Sequence, residues 1–240
     1  MPSNLLFYRL KNNLANFITL LNLTAGILAL KFLFEGNYET AFYLVLAGIF
    51  FDFIDGLIAR ATRTSSEMGL QLDSLADLVT SGVVPGFFLY RLWQETFPQA
   101  DKDVALIALL IPVASAWRLA KFNIDPRQKK HFIGLPTPAN ALVLLSIGML
   151  ILKFPESRMA AFFTRPVVAT ITVLVSAWLL NAGIPLLSLK SGGEKAHKPL
   201  KIILVLVSAV LFGLFSFRAV PFILLFYILL SLYAFKIRTH

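Results

Sequence analysis

The chain has 240 residues, of which 58% are apolar and 15% charged, no cysteine, and a formal charge of +9. Soluble domains average about 45 to 50% apolar and 25% charged residues, so a mean hydropathy of +0.76 identifies an integral membrane protein. The missing cysteines exclude disulfides, thiolate metal sites and a Cys nucleophile. The positive charge carries no interleaved aromatic stripe, which sets nucleic acid aside in favour of topology charges and anionic membrane lipid.

Residues 1 to 14 place Leu6, Leu10 and Leu14 at helical spacing among Arg9, Lys11, Asn12 and Asn13, which predicts a short amphipathic helix lying in the membrane interface. No small-residue cleavage site follows, so a signal peptide is not expected. Eight apolar runs then approach the roughly 20 residues that cross a bilayer, at 15–34, 40–60, 70–91, 103–122, 136–153, 166–187, 200–217 and 219–235. The expected fold is therefore all-α, a polytopic bundle of about eight spans. Gly36, Pro98, Pro126, Pro155 and Ser191-Gly192-Gly193 mark the breaks. An inward N-terminus puts Arg9, Lys11, Arg60, Arg63, Arg118, Lys121, Arg127, Lys129, Lys130, Lys190, Lys195, Lys198, Lys201, Lys236 and Arg238 on the cytoplasmic side. Positive-inside asymmetry thus predicts cytoplasmic termini.

The first span carries Asn16, Thr19, Asn22 and Thr24, with Thr19 and Asn22 able to share a face. Such polar residues serve either to join helices or to line a site. The stretch from Asp52 to Asp77 holds Asp52, Asp55, Gly56, Ala59, Arg60, Gly69, Asp73 and Asp77, the pattern D-x2-D-G-x2-A-R-x8-G-x3-D-x3-D. Helical spacing puts Asp52, Asp55, Gly56 and Ala59 on one stripe and Gly69, Asp73 and Asp77 on another, so two helices joined near Thr62 to Glu67 would aim four carboxylates at one volume. One Asp at mid-membrane costs about 2.5 to 3.5 kcal/mol, and four facing lipid would cost roughly 10 to 14 kcal/mol. Carboxylates without Cys or His suit Mg²⁺, Mn²⁺ or Ca²⁺ better than zinc.

This pattern resembles the CDP-alcohol phosphotransferase family at every fixed position. Three further segments, Ser81 to Pro85, Arg118 to Asn123 and Phe132 to Pro138, resemble the bacterial phosphatidylserine synthases within it. The resemblance covers about residues 1 to 187 and implies a catalytic domain there, with residues 188–240 adding a cytoplasmic loop and two further spans. It implies a metal-dependent transfer of a phosphatidyl group from CDP-diacylglycerol to L-serine, releasing CMP, on the cytosolic face of the inner membrane, in a homodimer. Two divalent ions about 3.5 to 4 Å apart would clamp the attacking and leaving oxygens. Asp52, Asp55, Asp73 and Asp77 are the expected metal ligands, with Asp77 also taking the proton of the attacking alcohol. Asn16, Thr19, Asn22, Asp52, Gly56, Ala59, Arg60, Ser66, Gly69 and Asp73 are the expected CDP-diacylglycerol contacts, with Gly56 and Ala59 small so that the nucleotide can approach the helix. Ser81, Arg118, Lys121 and Asn123 are candidates for serine or phosphate, Arg and Lys being suited to anions.

Glycerol 3-phosphate or an inositol phosphate is the nearest alternative acceptor. A divalent-metal transporter is the alternative of another class, disfavoured because the carboxylate motif has no second copy. His131, His197 and His240 lack partners at metal-ligand spacing. Lys31 and Arg91 are expected to snorkel, and the last two spans to serve as scaffold or dimer surface.

Overall fold

Long apolar runs broken by Gly and Pro dictate a stack of helical rods, and the computed structural model describes residues 2–62, 66–125, 132–186, 198–215 and 219–236. In chain order these are α1 (Pro2–Phe34), α2 (Tyr38–Thr62), α3 (Glu67–Asp77), a π-helical turn (Leu78–Val83), α4 (Val84–Thr96), a 3-10 segment (Gln99–Leu109), α5 (Leu110–Ile124), α6 (Thr137–Lys153), α7 (Arg158–Phe163), α8 (Pro166–Asn181), α9 (Lys198–Phe215) and α10 (Val220–Lys236). Two two-residue strands, β1 (Phe132–Ile133) and β2 (Pro185–Leu186), pair antiparallel, a small departure from the all-α expectation.

Among the described residues four rods are long and apolar enough to cross a membrane: Leu14–Phe34, Tyr38–Ala61, Glu67–Thr96 and Gln99–Ile124. Thr137–Lys153, Pro166–Asn181 and Phe222–Ser231 are shorter apolar helices. The protein is an integral membrane helix bundle. The expected interfacial helix is not a separate element, because α1 runs unbroken for 33 residues, about 50 Å, and no Gly or Pro stands between Leu6 and Asn22 to interrupt it. Arg63, Arg127, Lys129, Lys130, His131, Lys190, Lys195, His197, Arg238 and His240 lie outside the described residues.

α1 ends at Gly36, whose φ of +78° only glycine adopts without strain; Gly36 N–H donates to Leu33 O and Asn37 N–H to Phe32 O. Arg91 of α4 adds a second closure there, its Nη1 donating to Phe34 O (2.6 Å) and Leu33 O (3.0 Å). The expected snorkelling cation is thus a cap for orphan helix carbonyls. Lys31 does reach the surface, where it meets Glu35 at 3.0 Å. At the same end Lys153 of α6 meets Glu39 of α2 at 2.5 Å.

α3, the π turn and α4 form one rod with a widened middle. Pro85 cannot donate a backbone hydrogen bond and its ring would press on the carbonyl four residues back. The widened turn before it relieves that clash, and Val84 N–H bonds back to Val79 O. α4 is enclosed on two sides. Phe88 and Leu92 pack with Ala29, Leu33, Phe42, Val45, Leu145 and Met149 from α1, α2 and α6. Leu89 and Trp93 face Ala105, Ala108, Ile111, Leu144, Ala169 and Val173 on the other side. α1 and α2 lie along each other and both touch the π turn. Membrane helices gain no hydrophobic drive against lipid, so close approach of small residues holds them. Thr80 supplies that contact here: a Cβ on Gly26 would fall 2.5 Å from Thr80 Oγ1, and one on Gly48 2.6 Å from its Cγ2.

Candidate active site

Asp52 and Asp55 project from α2 at the end remote from Gly36, and Asp73 from α3. One carboxylate oxygen of each lies within 4.8 Å of the other two. Ser66 makes this possible by starting α3, its Oγ accepting from Gly69 N–H at 2.9 Å, so the second carboxylate helix begins where it can face the first. Asp77 is not in that group of three. It ends α3, four residues and about 6 Å beyond Asp73, where it is buried and Asn22 Nδ2 donates to its Oδ1 at 3.3 Å. The four expected ligands therefore divide into a triad and a deeper fourth carboxylate. Asp77 still stands within electrostatic range of Asp52, Asp73 and Arg118.

α1 supplies the polar wall. Thr19 Oγ1 donates to Asp55 Oδ2 at 2.6 Å, and Asn22, fully buried, keeps an Oδ1 without a hydrogen-bond partner among the described residues. Thr80 Oγ1 donates to the Asn22 carbonyl at 3.1 Å, fixing that turn of α1. The two readings open for the polar residues of this helix, joining and lining, both hold.

A cavity of about 170 Å³ opens beside the triad, lined by Ala15, Asn16, Thr19, Asp55, Gly56, Ala59, Ser66, Gly69, Leu70 and Asp73. It gathers most of the residues expected to contact the nucleotide. Arg60 is exposed and folds back along α2, so a Cβ on Gly56 would meet its Nη1 at 3.3 Å. A Cβ on Gly69 would meet Asn16 Oδ1 at 3.0 Å. Three oxygen donors with no nitrogen or sulfur among them, supported by a buried hydroxyl, fit a hard divalent cation.

The second set of expected residues is partly gathered. Ser81 and Arg118 are buried near Asp77, and Lys121 is exposed at the end of α5. Asn123 is engaged structurally: its Nδ2 donates to Ser74 Oγ at 2.9 Å, tying α5 to α3. The segment Phe132 to Pro138 is pinned by Gly134, with φ +79° and its N–H on Ile184 O, and by Leu135 N–H on Leu179 O. Ser74, Thr80 and Ser115 are the polar residues near the carboxylates that sequence reasoning passed over. Ser74 stood one residue from Asp73 as a visible signal, while Thr80 and Ser115 had none, because Thr and Ser occur throughout membrane helices.

Three acidic side chains converge beside a small cavity within this membrane bundle, and the chain belongs to the CDP-alcohol phosphatidyltransferase family, whose model matches residues 12–186. Within the family it is similar to proteins named CDP-diacylglycerol–serine O-phosphatidyltransferase. That of Bacillus subtilis is 39% identical over 131 residues, 55% of this chain and 72% of the relative. Those of Methanocaldococcus jannaschii and Saccharomyces cerevisiae are 37% and 34% identical, over 58% and 59% of this chain and 61% and 55% of their own lengths.

Proposed function

We propose that the chain transfers the phosphatidyl group of CDP-diacylglycerol to L-serine, giving phosphatidylserine and CMP. The observation that carries this reading is the meeting of Asp52, Asp55 and Asp73 within 4.8 Å beside a cavity walled by Gly56, Ala59 and Gly69. The relatives named for transfer to serine support the choice of acceptor.

Asp52, Asp55 and Asp73 would hold Mg²⁺ or Mn²⁺, and ions bound there would neutralise the pyrophosphate and the departing CMP. Asn16, Thr19, Ser66 and Gly69 line the nucleotide's place, and Gly56 and Ala59 let it approach α2. Arg60, lying over Gly56, contacts its phosphates. Asp77, held by Asn22, takes the proton from the serine hydroxyl. The serine oxygen forms a bond to the phosphorus that carries diacylglycerol, and the bond from that phosphorus to the CMP oxygen breaks. Arg118 receives the serine carboxylate, and Lys121 attracts anionic substrate or lipid at the rim.

The catalytic domain is residues 1–187, and α9 and α10 follow it. In this reading α1, α2, α3 with α4, α5, α6, α8, α9 and α10 cross the inner membrane, eight crossings in all, with the carboxylates toward the cytosol and both termini on that side. The functional unit is a homodimer. The test is to give the purified protein Mn²⁺ or Mg²⁺, CDP-diacylglycerol and each alcohol in turn and to measure CMP. Serine-dependent CMP release is expected; preferred use of glycerol 3-phosphate or an inositol phosphate rejects the assignment.

A further inference from the structure

Two hydroxyls near Asp77 are buried without use. Ser81 lies four residues beyond Asp77, on the same side of the widened π turn, and Ser115 faces that turn from α5. Both are 0% exposed, and neither Oγ has a hydrogen-bond partner among the described residues. Gly82 is what lets Ser115 come so near: a Cβ there would stand 2.9 Å from Ser115 Cβ and 3.2 Å from its Oγ. Arg118 follows Ser115 by three residues on the same face of α5 and is itself buried. An unsatisfied buried polar group is costly, so each of these hydroxyls calls for a partner that the described residues do not supply, in the neighbourhood of a guanidinium and a carboxylate.

We infer that Ser81 and Ser115 accept hydrogen bonds from the ammonium group of the acceptor and so select an amino alcohol over a polyol phosphate. The inference rests on the proposed transfer to serine. An ammonium offers three donors and no acceptor, so it takes acceptor oxygens, which hydroxyls supply, at a distance set by the group that holds the carboxylate. A phosphate-bearing polyol placed there would leave both hydroxyls without that cationic partner.

The test compares wild type with Ser81→Ala, Ser115→Ala and Ser115→Cys, using L-serine as substrate and ethanolamine and 3-hydroxypropionate as competitors. Each alanine variant should raise KM for L-serine about tenfold, with KM for CDP-diacylglycerol unchanged and kcat within a few-fold. Inhibition by ethanolamine should weaken similarly, while inhibition by 3-hydroxypropionate, which lacks the ammonium, stays as in wild type. Ser115→Cys should recover part of the loss, since its sulfur is a weak acceptor. An unchanged KM for serine in both alanine variants means that only water satisfies these hydroxyls, and overturns the inference. Weaker inhibition by 3-hydroxypropionate alone overturns it equally, by assigning the hydroxyls to the carboxylate. Wild-type protein that does not use serine at all would reject the transfer itself, an outcome separate from either.

Discussion

Replacing Thr19 by Val removes one oxygen from the polar wall and keeps the volume of the side chain. In the native protein that oxygen donates to Asp55 Oδ2 at 2.6 Å, and both residues are buried, Thr19 at 4% and Asp55 at 6% exposure. A hydrogen bond to an ionised group contributes about 1.5 to 3 kcal/mol, and water has little access here to replace it. At about 1.4 kcal/mol per decade this corresponds to roughly a tenfold to hundredfold change in how well Asp55 serves as an oriented ligand, in line with the effect of removing outer partners at metal sites. The expected result for Thr19→Val is therefore a half-saturating Mn²⁺ concentration raised about tenfold to hundredfold, measured by CMP release across a Mn²⁺ titration. Direct Mn²⁺ binding, followed by the loss of the free-ion paramagnetic resonance signal, should weaken by the same factor. Unchanged half-saturation in both assays would refute the argument that Asp55 is a metal ligand ordered from α1.

Asp77→Asn should abolish turnover while CDP-diacylglycerol binding stays measurable, because the triad is intact and only the proton acceptor is gone; sustained CMP release would give that role to another group. Gly56→Leu should weaken CDP-diacylglycerol binding at least tenfold, since a Cβ already meets Arg60 Nη1 at 3.3 Å and the rest of the side chain must enter the cavity. Equal affinity by calorimetry would place the nucleotide elsewhere. Gly48→Ala should destabilise the protein by about 1 to 3 kcal/mol, because its methyl would stand 2.6 Å from Thr80 Cγ2 and 2.8 Å from Asn22 Oδ1. Thermal unfolding in detergent reads this, and an unshifted midpoint would mean that α1, α2 and the π turn do not pack as described.

The carboxylate cluster was legible because helical spacing converts directly into a shared face. Asp52 and Asp55 are three apart, and a capped helix start at Ser66 turns Asp73 toward them. The position of Asp77 was not legible to the same degree. Four residues from Asp73 implies the same face, but the depth reached by one helical turn and the grip of Asn22 depend on how α1 crosses α3, which no spacing encodes. The boundaries of the apolar runs matched rods within a few residues where Gly36 and Pro98 stood as stops. At the N-terminus the expected run at 15–34 matches the span Leu14–Phe34, but the stretch before it continues in the same uninterrupted helix. Asn123 shows the limit of residue type as a guide. An amide close to an anion-handling site reads as a ligand, yet Ser74 occupies it, and only the packing of α5 against α3 reveals the pairing. Arg91 likewise carried a surface expectation, and its guanidinium instead closes the carbonyls that end α1.

The closure that Arg91 makes on α1 has a mechanical meaning for the chemistry at the opposite end. α1 is fastened at two levels, by Thr80 at Asn22 and by Arg91 at Leu33 and Phe34, about 17 Å apart along its axis. A slide by a single residue, about 1.5 Å, would break both fastenings together. The rod therefore behaves as a ruler clamped at two marks, and these clamps set the register of the graduations at and below the lower one, Asn22 against Asp77 and Thr19 against Asp55.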